Sequence, residues 1–447
     1  MKKLFKTLKN IWSIEELRSK ILFTLALIFI YRIGAHIVLP GIDPDGIQAQ
    51  MANSKKGILG LIDTFAGGAF SQASIFALGI MPYISASIFM QLMTVLVPQM
   101  QKLQKEGDSG RKKINQWTRY LTVAVTIVQA SAYVTYLNEM TRGGGRIPGF
   151  EPYFWYTTVI VLTAGTLFVM WLGEKITDKG LGNGTSLIIM VGILARLPQS
   201  FAQEFTAKSA SSAGGGILIF IIELFILVGI ILGCILLIQG TRKIALNYAK
   251  QIAGGNRQFT GARQFLPIKV NSAGVMPIIF AQAIMFLPTL FAYADSTKGI
   301  ARVFSDPKNI WYMLVYATVV IGFTFLYTAL IFNPKQIADN LKQNNGFIPG
   351  VKPGQPTADY IGAVMDKVTL PGAVLLAFVG ILPGIAELLG VSQGFASFFG
   401  GTSLLILVGV VLDTLQQIET QLLMRQYDGL MKSGRIQGRQ TLTQASV

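Results

Sequence analysis

The stretch Ala69–Pro98, AFSQASIFALGIMPYISASIFMQLMTVLVP, most constrains what this chain can fold into. It is apolar enough for a bilayer, yet Ser71, Ser74, Ser85, Ser87, Gln91 and Thr94 interrupt it and Pro82 sits inside it. The preceding Gly57–Gly68 (GILGLIDTFAGG) is too short and too glycine-rich to cross. Together they predict a half-helix that enters, breaks and re-enters. Irregular backbone at membrane depth is tolerated only where protein buries it or where it lines a water-filled cavity. A pore, or a site at the centre of a helical bundle, is therefore expected.

Composition sets the class. Half of the residues (51%) are hydrophobic and only 13% are charged, against about 25% charged in soluble domains. The chain is predicted to be an all-α polytopic membrane protein. A single cysteine, Cys234, lies in an apolar run and excludes both a disulfide framework and a thiolate metal cage. One histidine, His36, cannot build a metal site alone. The net charge of +16 fits basic cytoplasmic loops better than nucleic-acid binding in such a chain.

Ten spans of about 20 residues follow from hydropathy. They are Ile21–Leu39, the broken second unit, Tyr120–Leu137, Tyr153–Leu172, Ser186–Leu197, Ile217–Ile238, Val275–Phe291, Trp311–Phe332, Leu370–Leu389 and Thr402–Leu423. The fifth is barely a dozen residues, and Pro277 and Gln282 interrupt the seventh. Short or Gly/Pro-interrupted segments point towards a central site. Residues 1–20 read as a cytoplasmic amphipathic helix, 21–200 and 201–423 as two halves, and 424–447 as a cytoplasmic tail. With the N-terminus inside, the inside segments hold 28 Lys and Arg and the outside segments nine, Arg32 lying within the first span. This is a strong positive-inside signal and places both termini in the cytoplasm. Two inside loops, 239–273 and 333–369, are basic and about 35 residues each, far beyond the usual connection. Such loops serve topology and anionic-lipid contact, or dock a large partner.

Chemistry is scarce. No G-x-x-x-x-G-K-[ST], H-E-x-x-H or G-x-S-x-G occurs. Gly180–Thr185 (GLGNGT) has the glycines of a phosphate cradle but no lysine, and a tight bend entering the fifth span accounts for it better. The intramembrane ionisable groups are chiefly Arg32, Glu223 and Asp413. Arg32 and Glu223 fall at similar depth, which suggests an ion pair. Asp413 would be the ion or proton site if the chain were a secondary solute transporter.

The residues also carry a family resemblance. FAGGAFSQASIFALGIMPYISASIFMQ (Phe65–Gln91) resembles the SecY signature. Matching motifs recur along the chain: KEGDSGRKKINQWTRY (Lys105–Tyr120), ITDKGLGNGTSLII (Ile176–Ile189), RKIALNYAK (Arg242–Lys250), LPIKVNSAGVMPIIFA (Leu266–Ala281), FNPKQIADNLK (Phe332–Lys342), GFIPGVKPGQPTADYI (Gly346–Ile361) and GGTSLLI (Gly400–Ile406). The chain resembles bacterial members of the SecY family, the channel subunits of the Sec protein translocon.

That resemblance implies ten helices in two inverted pseudo-symmetric halves with a re-entrant plug half-helix. It implies a protein-conducting channel in the bacterial inner (plasma) membrane, without cofactor or catalytic residue. The pore ring would be Ile84, Ile88, Ile189, Ile279 and Ile406, with Thr185 where many relatives carry another apolar side chain. The plug, about 57–74, would include Leu61, Ile62, Phe65, Gly67, Gly68 and Phe70, with the two glycines as its hinge. Ser85, Gln91, Gln129 and Asn271 would line a lateral gate for signal sequences leaving into membrane lipids. Arg242, Lys243, Arg257 and Lys352 would dock the SecA ATPase or the ribosome. SecE and SecG subunits are the implied partners, and secretory precursors the cargo. Lys352 stands where many relatives have arginine, so a point charge replaces a planar fork.

Overall fold

A computed structural model describes residues 12, 14–43, 63, 66–141, 153–210, 216–248, 264–290 and 308–432. Ten helices follow the ten expected spans in order: α1 (Glu15–Gly34), α2 (Met81–Leu96), α4 (Asp108–Thr141), α5 (Phe154–Lys179), α6 (Gly184–Ser209), α7 (Gly216–Gln239), α8 (Met276–Leu290), α9 (Ile310–Ile331), α11 (Gln355–Leu388) and α13 (Gly401–Lys432). The shorter α3 (Pro98–Lys105), α10 (Pro334–Gln343) and α12 (Gln393–Ala396) connect them. Among the described residues, seven helices are long and apolar enough to cross a membrane, or eight if the bent pair α2–α3 counts as one. Charges near both ends keep α1 below that mark, and α8 has only 15 residues.

Local chemistry explains several of the helix boundaries. Glu15 and Glu16 open α1 and Arg32 lies in its last turn, each complementing the helix dipole. Pro82 does not interrupt the second span; it sits in the first turn of α2, where a missing N–H costs nothing. The extended Val97 before Pro98 ends α2, and the chain turns by 101° into α3. Asn309 and Asn333 cap α9 and α10 by accepting from the backbone N–H of Trp311 (3.0 Å) and Gln336 (3.3 Å). The fifth span departs from expectation. It is not a dozen residues but a 26-residue helix that runs through Pro198. Polar Gln199, Ser200, Gln203 and Glu204 read as loop, yet Ser200 and Glu204 are buried.

The chain divides into two compact units. The first comprises residues 1–54, 63–195 and 409–447. Its core holds Tyr31, Leu137, Leu162, Leu172, Ile176 and Ile188, all nearly inaccessible. Small residues let its elements approach closely: a Cβ on Gly165 would lie 2.3 Å from the carbonyl oxygen of Ile75, and one on Gly34 would enter the Phe76 ring.

The second unit comprises residues 55–62 and 196–408. It contains an element that sequence reading missed. Strands β1 (Thr241–Tyr248), β2 (Gln264–Lys269) and β3 (Gly346–Phe347) form an antiparallel sheet in the order β2-β1-β3. Thr241 pairs with Lys269, Leu246 with Gln264, and Asn247 with Phe347. Pro267 is tolerated because β2 is an edge strand. The two long polar loops therefore fold together. Ile244, Leu246 and Ile268 from the sheet pack with Leu341 of α10, Ile348 and Ile361 of α11 into a small core of their own.

Candidate functional site

Residues 66–80, the irregular stretch that leads into α2, are the centre of the candidate site. They form successive turns rather than a helix, and Ala66, Ala69, Phe70, Ala73, Phe76 and Ala77 are all buried. Their polar backbone groups find partners instead of water, as a non-aqueous setting demands. Leu39 donates its N–H to the carbonyl of Ala73 (2.8 Å), and Ile75 donates to that of Ile37 (2.9 Å). Tyr133 of α4 donates its hydroxyl to the carbonyl of Phe70 at 2.7 Å, with the two rings 4.6 Å apart. Arg32 Nη1 donates to the carbonyl of Gly67 (3.2 Å). The carboxylate of Asp63 accepts from the N–H of Ser71 (2.8 Å), and its backbone carbonyl accepts from Gly68 (2.9 Å). The glycines are needed here for conformation and for space. Gly67 and Gly68 have φ of +64° and +91°, and a Cβ on Gly67 would lie 2.7 Å from Cα of Gly192. Gly67 is thus a contact point of backbone on backbone. Leu61, Ile62 and Phe65 lie outside the described residues. Sequence reasoning overlooked Tyr133, which carries no signal in an apolar span; Asp63, the one acid in GILGLIDTFAGG, was a signal in plain view.

The proposed pore residues are divided three and two between the units. Ile84 and Ile88 lie four apart on α2 and Ile189 on α6 in the first unit; Ile279 lies on α8 and Ile406 on α13 in the second. Ile88, Ile189 and Ile406 are buried, Ile84 and Ile279 half-buried. Thr185 is spent on the start of α6: its N–H (3.2 Å) and hydroxyl (2.7 Å) both donate to Oδ1 of Asn183. Of the residues expected at a lateral gate, Ser85 and Gln91 are exposed along α2 and Gln129 is half-buried on α4. The Ser85 hydroxyl donates back to the carbonyl of Met81 (3.1 Å). Asn271, in the turn before α8, has a buried side-chain oxygen with no hydrogen-bond partner among the described residues.

Among the residues expected to dock a partner, Arg242 and Lys243 stand exposed on β1. Lys352 is exposed on the same cap, the body built by the two long loops, in a loop whose Gly350 and Gly354 have φ of +84° and +103°. The hydroxyl of Thr357 fastens that loop by donating to the carbonyl of Lys352 (2.8 Å). Arg257 lies outside the described residues.

The glycines of GLGNGT hold no phosphate cradle. Three amides of this stretch are taken within the first unit: Leu181 by Thr24 (3.0 Å), Gly182 by Gln417 (2.9 Å) and Gly184 by Thr177 (2.9 Å). Arg32 and Glu223 each have partners within their own unit. Arg32 turns to Gly67 and to Nε2 of His36 (3.3 Å). Glu223 instead pairs with Lys208 at 2.9 Å, which also reaches Glu204 (3.6 Å) and the carbonyl of Gly390 (3.1 Å). Asp413, the anchor of the transporter reading, is exposed on α13.

Comparison with known proteins places this geometry. The sequence matches the family model described as SecY over residues 74–415. It is 41% identical to the protein translocase subunit SecY of Streptomyces galbus over 433 residues, covering 93% of this chain and 97% of that one. It is 40% identical to the protein translocase subunit SecY of Chlamydia muridarum (strain MoPn / Nigg) over 456 residues, covering 97% and 99%. The fold is similar to that of a chain solved as the structure of a protein conducting channel, with a TM-score of 0.62, 18% identity, and coverage of 90% of this chain and 91% of that one. It is also similar to Sec61 from the canine ribosome-channel complex, with a TM-score of 0.60, 17% identity, and coverage of 90% and 91%. A core of apolar spans with a buried, broken entry to the second of them, matched at this identity along nearly the full length, means that the chain belongs to the SecY family of protein translocase subunits.

Proposed function

We propose that this protein is the pore subunit of the general secretory machinery of a bacterial plasma membrane, with both termini in the cytoplasm. It passes unfolded secretory proteins across the membrane and releases apolar segments sideways into lipid. The observation that carries this reading is the buried, irregular segment 66–80 at the entry to α2. Ordinary spans have no use for such backbone; a closed pore does. Ile84, Ile88, Ile189, Ile279 and Ile406 form the apolar collar. Such a collar excludes ions by dewetting, because water and ions lose solvation in a narrow apolar constriction. It widens around an extended chain without binding it, since isoleucine offers that chain no hydrogen bond. The segment from about 57 to 74 is the plug, and Ser85, Gln91, Gln129 and Asn271 belong to the gate through which a signal sequence reaches lipid.

The driving force comes from outside the chain, which carries no nucleotide-binding loop. The SecA ATPase or a translating ribosome docks on the cap through Arg242, Lys243, Arg257 and Lys352, and SecE and SecG complete the complex. Support for this dock comes from the fold of the two long loops into one body, which presents its cations on a rigid frame.

A photo-crosslinker at Ile84 or Ile279 tests the proposal in proteoliposomes supplied with SecA, ATP and a stalled secretory precursor. An adduct that requires both ATP and a signal sequence is the expected result. No adduct, in vesicles where a known translocon is active, would remove the pore assignment.

A further inference from the structure

Gln282, the polar residue inside the seventh span, and the Gly400–Thr402 turn at the start of the tenth meet within the second unit. We propose that Gln282 and Thr402 are positioning residues, whose hydrogen bond fixes the register of α13 against α8 and so sets Ile279 and Ile406 at one level. The inference rests on the assignment of these two isoleucines to the collar.

The buried Thr402 hydroxyl donates to Oε1 of the half-buried Gln282 at 3.4 Å. Thr402 lies one turn before Ile406 on α13, and Gln282 lies one turn after Ile279 on α8. Residues three and four apart share a helix face. As the seventh and tenth spans, α8 and α13 run in opposite directions, so both steps from the bond to an isoleucine point the same way. Each partner is also held from behind. Next to Thr402, Gly400 rests on α11: a Cβ there would lie 2.3 Å from the carbonyl oxygen of Val379 and 3.0 Å from Cδ of Pro383. Pro383 has no N–H to offer that carbonyl, which leaves it uncovered by its own helix. On α8, Ile278, Ala281 and Met285 are buried, and Phe280 stacks on Phe323 of α9 at 5.5 Å. Gln282 also faces the buried hydroxyl of Tyr316 on α9, which has no hydrogen-bond partner among the described residues.

A polar pair does here what apolar packing cannot. Stacked rings and aliphatic side chains slide along one another at small cost and give two helices no unique axial position. A hydrogen bond does, because it weakens steeply with distance and angle, and a buried hydroxyl that loses its partner bears the desolvation penalty. The length of 3.4 Å makes this a weak bond. It therefore selects one register without welding the helices together. A constriction that widens around a chain and closes again needs such a reference.

The test uses the complete chain with its partner subunits in nanodiscs. In a Cys234→Ala background, a short bis-maleimide is offered to two pairs: Ile279→Cys with Ile406→Cys, in register, and Met276→Cys with Ile406→Cys, one turn out. The ratio of the two crosslinking rates reads the register. Thr402→Val and Gln282→Leu should each lower that ratio about threefold, the weight of a mean interhelical hydrogen bond in a membrane protein. Thr402→Ser keeps the hydroxyl and should preserve the ratio. Tyr316→Phe is the control, because it deletes a neighbouring hydroxyl that closes no bond, and it should leave the ratio unchanged. An unchanged ratio in either Thr402→Val or Gln282→Leu would overturn the pin, as would an equal fall in Thr402→Ser or Tyr316→Phe. With both isoleucines in place, Thr402→Val should raise idle ion conductance and Thr402→Ser should not. A lowered ratio with unchanged conductance would keep the pin and remove the two isoleucines from the collar.

Discussion

At Gly67 two physical demands fall on one residue. Its φ of +64° lies in the left-handed region, and the site of a Cβ is already occupied by Cα of Gly192. An L side chain there costs about 1–2 kcal/mol for the backbone alone, before the clash is counted. Gly67→Ala is expected to lower the unfolding temperature of the reconstituted complex and to raise its idle conductance. Gly107→Ala separates the two causes, because Gly107 has φ of +75° but open space around it. It should lose stability by the backbone term only, with the seal intact. The sequence shows the glycines of FAGGAF and invites the reading of a free hinge. It cannot show that Gly67 is pressed against another backbone, because Gly192 is far away along the chain. The same distance hides Tyr133: its ring is one apolar side chain among many until Phe70 is brought beneath its hydroxyl.

At the scale of elements, proline is a lesson in position. Pro82 and Pro98 each begin a helix, where the absent N–H would have had no partner, whereas Pro198 lies within α6 and the helix continues past it. Local sequence does not distinguish these cases, and the fifth span was accordingly read as too short. Hydropathy located the other spans because burial in lipid needs only a long apolar run. It gave no sign of the cap, whose strands are short and whose core comes from two loops separated by α8 and α9. Ile268 is 2% exposed at the centre of that core. Ile268→Ala should cost about 2–5 kcal/mol locally. Limited proteolysis should then cut at the cap while the spans stay protected, and SecA affinity should fall without any change in surface charge. Unaltered affinity in a cap shown to be loosened would separate docking from the rigidity of the frame.

At the scale of the whole molecule, the proposed collar is the residue set to test. Ile84 and Ile189 belong to one unit, Ile279 and Ile406 to the other. Replacing these four with serine should let small ions pass in planar bilayers, because a hydroxyl-lined constriction stays wet; an unchanged conductance would remove the collar. The sequence by itself determined the class, the order of the apolar helices, the basic character of the two long loops and, through its long motifs, the family. Each of these is written in local composition or in contiguous residues, since the bilayer imposes one simple rule on every span. Only the tertiary structure decided that the polar loops share one core, that Arg32 serves Gly67, and that Tyr133 holds Phe70. Those are contacts between residues far apart in the chain, and the chain reveals them only when folding brings their backbones together.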